Sequence, residues 1–329
     1  MPDPARWLSA AVAGVTVLLA SACAAPQADG PSTGGTAAPS AAPESPAERI
    51  AAGAYAGPVD IGGGRQIYLE CRGTGAPTVV LISGYHDSAD LWSISDAAPP
   101  AAAEAVLPGL AGRYRVCAFD RPGTLRYSEN QGSVTTRTTP VPMPRTAADV
   151  VADLRAMLQA ARVPGPYVLT AHSLGGIFAR LYAQTYPADV RGLVLVDTFA
   201  PEVPALFGPL WPAYRELLDT AGTQRDPNAE RIDLDASIGQ LQQAPTLRDV
   251  PVAVLSKTEP FGGLPPTIPG GLTGADIERI WPQVQTAVVA IRPQTPQTLV
   301  TDSDHYIQVR QPDVVISSTD LIVGRATAA

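Results

Sequence analysis

The stretch "GPYVLTAHSLGGIFARLYAQTYPADVRGLVLVD", residues 165–197, constrains this chain more than any other. Its two ends, "GPYVLTA" and "VRGLVLVD", are continuous apolar runs bounded by turn residues, the pattern of strands buried on both faces. Between them "LGGIFARLYAQTYP" reads as a helix that Pro187 ends. Neither strand has a polar face to turn toward water, so the sheet they enter must be covered by helices. Ser173 stands at the sharp turn where the first strand runs into the helix.

The same alternation extends over most of the chain. "RQIYLECRG" and "TVVLISG" are short runs with β-branched residues and Gly punctuation, and "YRVCAFDRPG" is a third that ends in a turn. Thr146 opens a helix with Asp149 three residues on, a capping-box variant, and Val150, Val151, Leu154, Met157, Leu158 and Ala161 share one helical face. "VPVAVLS" and "QTLVT" supply later strands, and "PDVVISSTDLIVG" reads as a closing helix. The pattern predicts an α/β fold over residues 49–329, with a mostly parallel central sheet and helices on both faces. Two stretches break the alternation. Residues of about 198–249, with "LFGPLWPAYRELLDT", predict a small helical cap insertion, and residues of about 257–275 contain the Pro/Gly-rich loop "TEPFGGLPPTIPGGLTG". Loops of that length are usually functional, and both stretches are expected over the site.

With 329 residues, 45% of them hydrophobic, the chain can bury a substantial core. A formal charge of -8 argues against a nucleic-acid partner, which needs a basic footprint. Residues 1–22 have the form of a signal peptide: Arg6 precedes the apolar "WLSAAVAGVTVLLASA", which is short for a membrane span. "LASAC" places Ser21 and Ala22 directly before Cys23 and resembles the lipobox of bacterial lipoproteins. That resemblance implies lipidation at Cys23 and a membrane-anchored, extracytoplasmic protein; cleavage by an ordinary secretory route, giving a freely secreted one, is the alternative. Residues 23–48, rich in Ala, Pro, Gly and Ser, read as a disordered tether. Such a tether spans roughly 25–30 Å root-mean-square. With Cys23 set aside, Cys71 and Cys117 form an even pair in an exported chain. An oxidising compartment favours a disulfide between them, with two buried thiols as the other reading.

A serine hydroxyl is a weak nucleophile until a base takes its proton and a carboxylate orients that base. A strand–Ser–Gly–Gly–helix sequence presents such a serine on a strained turn, although Ala171 stands where Gly is usual. The chain has three histidines. His172, beside Ser173, is expected to pack against the sheet rather than turn back. His86 falls in an early loop after the third strand. His305 follows the last strand, at the same carboxyl edge as Ser173, and is the candidate base. No H-E-x-x-H, Cys/His cluster or G-x-x-x-x-G-K occurs, so no metal or other cofactor is expected.

The order Ser173, acid, His305 resembles that of α/β-hydrolases of the ester-hydrolysing type. "VVLISGY" resembles the strand and loop that supply their oxyanion hole, with Ser83-Gly84 for the usual His-Gly. "FDRPGTLRYS" resembles their D-R-x-G-x-G-x-S turn, with Leu125-Arg126 departing from it. "DHYIQVRQPDVV" resembles their catalytic-histidine segment, with Asp304 where Gly is frequent. The whole is similar to exported actinobacterial lipoprotein members of the superfamily. The resemblance implies backbone oxyanion donors at Tyr85 and Leu174, with Tyr85 as a pocket-lining aromatic the simpler reading. It also places Cys71 and Cys117 on neighbouring strands. The acid stays open: Glu259 follows "VPVAVLS", where the family most often has its carboxylate, and Asp197 ends "GLVLVD", a minority position. The implied activity is serine-dependent hydrolysis of a small-molecule carboxylic ester. The alternatives are cleavage of another acyl bond (thioester, amide or C–C) by the same groups, or a non-catalytic binding protein with this fold.

Overall fold

A computed structural model of the chain describes residues 44–96, 104–127, 132–265 and 267–328. The expected signal peptide, Cys23 and the tether as far as residue 43 lie outside the described residues. The last residues assigned to the tether, however, are structured. Ser45 caps helix α1 (Pro46–Ala51) through a capping box with Glu48, and Ile50 is buried in the core. Ser-x-x-Glu with Pro at the first helical position is a helix start inside a stretch whose composition suggested none.

Among the described residues eight strands form one sheet: β1 (Ala54–Gly62), β2 (Arg65–Arg72), β3 (Thr78–Ile82), β4 (Val116–Phe119), β5 (Tyr167–His172), β6 (Val190–Val196), β7 (Val252–Lys257) and β8 (Gln297–Val300). Their spatial order is β1-β2-β4-β3-β5-β6-β7-β8. β2 is antiparallel to both β1 and β4, and every pairing from β4 to β8 is parallel. In the antiparallel pair β2/β4, Cys71 lies directly opposite Cys117, and a disulfide joins them across Cα atoms 4.1 Å apart. The parallel strands send their carboxyl ends to one edge, where loops gather in such sheets.

Alternate residues of each parallel strand enter different cores, as the two-residue period of a strand requires. Val80, Ile82, Leu169, Leu193 and Val254 pack on one face with helices α3 (Ala147–Ala160) and α4 (Gly175–Thr185). Val79, Leu81, Val168, Val194 and Leu255 pack on the other with α2 (Val106–Ala111) and α10 (Pro312–Ala328). Thr146 caps α3 with Asp149 in a capping box. Between β6 and β7 the chain builds α5 (Val203–Phe207), α6 (Trp211–Thr223) and α7 (Leu234–Gln243), which form the helical insertion. The loop after β7 leads into α8 (Gly274–Val289), a helix the sequence reading did not anticipate, and α9 (Ile307–Arg310) precedes α10. No helix among the described residues is long and apolar enough to cross a membrane.

Candidate active site

Ser173 follows β5 with φ of 53°, the left-handed region that a side-chain-bearing residue rarely adopts. The turn is held by backbone on both sides: the Ser173 N–H donates to Val196 O (3.1 Å), and Phe199 N–H donates to Ser173 O (3.2 Å). Its glycines are there for space. A Cβ at Gly175 would lie 2.6 Å from Ile82 O and 2.8 Å from Ser83 O, and one at Gly176 would meet the Thr198 side chain at 2.5 Å. Ala171, in contrast, sits within β5, paired with Ile82 and Leu195, where an ordinary strand residue fits.

His305 comes to Ser173 from the loop after β8. Its Nε2 is 2.9 Å from Ser173 Oγ and its Nδ1 is 2.6 Å from Asp197 Oδ2. A carboxylate can only accept, so Nδ1 carries the proton and Nε2 is left to accept from the serine hydroxyl. Asp197 follows β6 with φ of 48° and is fully buried. Two further donors hold it: Lys257 N–H to Oδ1 (3.2 Å) and Trp281 Nε1–H, from α8, to Oδ2 (3.0 Å). Burial, reinforced by neighbouring His172, holds the His305 imidazole below its ordinary value, while Asp197 pulls the other way.

Of the two carboxylates left open by the sequence, the structure brings Asp197 to His305 and leaves Glu259 apart. Glu259 is exposed, its N–H donates to Ser303 O (3.0 Å), and its carboxylate accepts from the adjacent Thr258 hydroxyl (3.3 Å). His172, the last residue of β5, is buried and does not turn back onto Ser173; its Nε2 donates to the His305 carbonyl (2.9 Å). Its ring lies 4.5 Å from that of His305. His86 lines the same cavity without reaching Ser173 or His305; it stacks on Tyr85 and donates from Nε2 to Leu218 O (2.9 Å).

The loop after β3 crosses over Ser173, so closely that a Cβ at Gly84 would be 3.0 Å from Ser173 Cβ. Among the described residues, neither the Tyr85 nor the Leu174 N–H donates to another protein group. The loop is gripped from below. Arg121 donates to Ser83 O (2.9 Å) and Gly84 O (2.6 Å), and Glu230 of the insertion accepts from Arg121 Nε (2.6 Å) and Nη2 (2.9 Å). Glu230 also takes the His86 N–H at 3.1 Å. Both side chains are 1% exposed. Arg121 lies within the "FDRPG" turn after β4, a local pattern that does not itself reveal this task. No local pattern marks Glu230, which is 109 residues away. Tyr85 lines the pocket, and its hydroxyl also donates to Asp219 (2.5 Å) and accepts from Ile232 N–H (2.9 Å), tying the same loop to the insertion. Burial pushes that phenol far above its usual range.

Ser173 and His305 open into a cavity of about 300 Å³. Tyr214, Leu217 and Leu218 of α6 line it from one side, and Phe261 and Leu264 of the loop after β7 from the other. No group of His, Cys, Asp and Glu among the described residues could hold a metal ion.

This geometry has relatives. An uncharacterised protein of Schizosaccharomyces pombe is 32% identical over 150 residues, 40% of this chain, and the match spans only 26% of that protein's length. The uncharacterised YqjL of Bacillus subtilis is 21% identical over 74% of this chain and 82% of its own. A thermophilic esterase from Thermogutta terrifontis superposes with a TM-score of 0.54 at 18% identity, over 83% of this chain and 99% of that one. The family defined by the alpha/beta hydrolase fold matches residues 77–315. That span runs from β3 to the first turn of α10 with Ser173, Asp197 and His305 inside it, and the chain belongs to the α/β-hydrolase family.

Proposed function

We propose that this protein is a serine hydrolase that cleaves carboxylic esters through an acyl-enzyme. The observation that carries the reading is the row Ser173 Oγ, His305, Asp197, joined by contacts of 2.9 and 2.6 Å at one edge of the sheet. His305, held neutral by burial, takes the Ser173 proton as Oγ attacks the ester carbonyl. Asp197 fixes the tautomer and stabilises the imidazolium. The N–H groups of Tyr85 and Leu174 receive the oxyanion, a contribution of about 10²–10³ in rate per donor. His305 then protonates the departing alkoxide, and water attacks the acyl-enzyme by the same route. An esterase with the same fold supports this reaction class.

Export, with an anchor through a lipidated Cys23, belongs to the same proposal. It is supported by the apolar segment that ends in "LASAC" and by the Cys71–Cys117 disulfide, which an oxidising compartment favours. The test of the activity is hydrolysis of p-nitrophenyl esters of increasing acyl length by the full chain and by Ser173→Ala. The reading expects turnover that the substitution lowers by at least about 10³-fold. If wild type and variant were equally inert on every ester, thioester and amide substrates or a binding role would take its place.

A further inference from the structure

Among the described residues lining the cavity beside Ser173, one carries a permanent positive charge: Arg225, exposed at its mouth. Its backbone is anchored just after α6, with the N–H donating to Gly222 O (2.9 Å). The carboxylates nearest to it in sequence all serve other donors. Asp219 accepts from the Tyr85 hydroxyl, and Asp226 from the N–H groups of Asn228 (2.8 Å) and Val134 (3.3 Å). Glu230 accepts from Arg121 and His86. No acid among the described residues forms an ion pair with the Arg225 guanidinium, whereas Arg65, Arg137 and Arg155 each have a carboxylate partner.

An exposed arginine is ordinarily a solvated charge with little consequence. Arg225 differs in its position. Its charge reaches the half-buried phenols of Tyr127 and Tyr306, which line the same cavity, opposing chiefly desolvation at the first and the Asp87 carboxylate at the second. Asp87 is the second charge along that wall, 2% exposed, with its Oδ1 accepting the Tyr127 hydroxyl at 2.8 Å. A negative group deep in the cavity would meet Asp87, while one at the mouth would meet Arg225. Leu217 and Leu218 offer apolar lining suited to an uncharged spacer.

We propose that Arg225 binds the carboxylate of esters that carry a negative charge remote from the scissile bond. The guanidinium fork suits a planar carboxylate, and a charge-assisted contact of this kind discriminates strongly against a neutral isostere. The inference rests on the ester-hydrolase reading for its chemistry, but not for its binding.

Two matched substrate pairs test it on the full chain: the p-nitrophenyl monoester of glutaric acid against p-nitrophenyl pentanoate, and 4-carboxyphenyl butyrate against phenyl butyrate. The first pair puts the charge on the acyl side, the second on the alcohol side. The expected result is a higher kcat/KM for the anionic member of at least one pair. In Arg225→Gln that anionic-to-neutral ratio falls about tenfold, and in Arg225→Lys it falls less. A ratio unaltered by Arg225→Gln in both pairs would overturn the proposal. Calorimetric titration with the monoanilide of glutaric acid and with pentananilide separates the two failures. If no ester is cleaved yet Arg225→Gln still loses about tenfold in preference for the charged anilide, only the hydrolase reading falls. Equal affinity of the wild type for both anilides, with no anionic preference in turnover, sinks the Arg225 assignment.

Discussion

Three residues with side chains, Ser173 (φ 53°), Asp197 (φ 48°) and His86 (φ 63°), take left-handed backbone conformations around the site. Each such position costs on the order of 1–3 kcal/mol, so their clustering around Ser173 marks a geometry that the surrounding structure has to hold. Asp197 carries the clearest consequence. Because it accepts from His305, Lys257 and Trp281, Asp197→Asn should lower kcat by about 10³–10⁴-fold, the scale on which loss of the orienting carboxylate acts. Exposed Glu259 makes no such contact, and Glu259→Gln should alter kcat by less than about twofold. Parallel kinetics on the two variants check both expectations, and equal losses would reject the assignment of the acid. The pH profile follows from His305. Its imidazole sits below the ordinary value of about 6.5, so it is neutral, and able to accept a proton, above that lowered value. The acid limb of kcat/KM should therefore have its midpoint below about 6.5, with activity falling as pH drops through it. Asp197 opposes the lowering, so the residual activity of Asp197→Asn should titrate at a still lower pH. A midpoint above that of free imidazole in the wild type would contradict this account of the base.

At the scale of elements, the loop after β3 is positioned by a residue of the β4 turn and a residue of the insertion. Arg121 binds the carbonyls of Ser83 and Gly84, and Glu230 closes on Arg121 and on the His86 N–H. Glu230→Gln keeps the shape and removes the charge opposite a buried guanidinium. It should cost about 3–5 kcal/mol of stability and, in the protein that remains folded, lower kcat by about 10–100-fold with a smaller change in KM. Thermal unfolding beside steady-state kinetics reads both, and an unchanged kcat would show that the clamp does not set the oxyanion donors. How legible these elements were depended on whether their signals were local. The strand–Ser–Gly–Gly–helix turn and the Thr146–Asp149 capping box are contiguous patterns, and the structure has both where the sequence places them. The start of α1 and the whole of α8 were also written locally, as Ser45–Glu48 and Thr273–Asp276 capping boxes. Their surroundings mask them: Pro-rich composition encloses the first, and the Pro/Gly loop precedes the second while Pro282 interrupts it. The choice between Asp197 and Glu259 had no local answer. It turns on where the chain leaving β6 aims its first residue, and on Trp281, 84 residues later, donating to it. The Arg121–Glu230 pair is nonlocal in the same way.

For the molecule as a whole, the disulfide closes a loop with a sequence separation of 46 between two strands of the antiparallel part of the sheet. Replacing Cys71 and Cys117 together by Ala should cost about 2–4 kcal/mol of stability, with the ester kinetics of the folded fraction little altered, because neither residue contacts Ser173 or His305. Denaturant unfolding under oxidising conditions measures it. On the export side, Cys23→Ala should move the protein from the membrane fraction to the medium, and recovery of wild type and variant in the same fraction would count against the anchor. The central claim is that Ser173 is the nucleophile, activated by His305. It is tested most directly by treating the full chain with a fluorophosphonate, which transfers its phosphonyl group to an activated serine with loss of fluoride, and then locating the adduct by peptide mass. The account predicts a single label on Ser173, absent from Ser173→Ala and strongly reduced in His305→Ala. No label in the folded wild type, or a label on another serine, would contradict it.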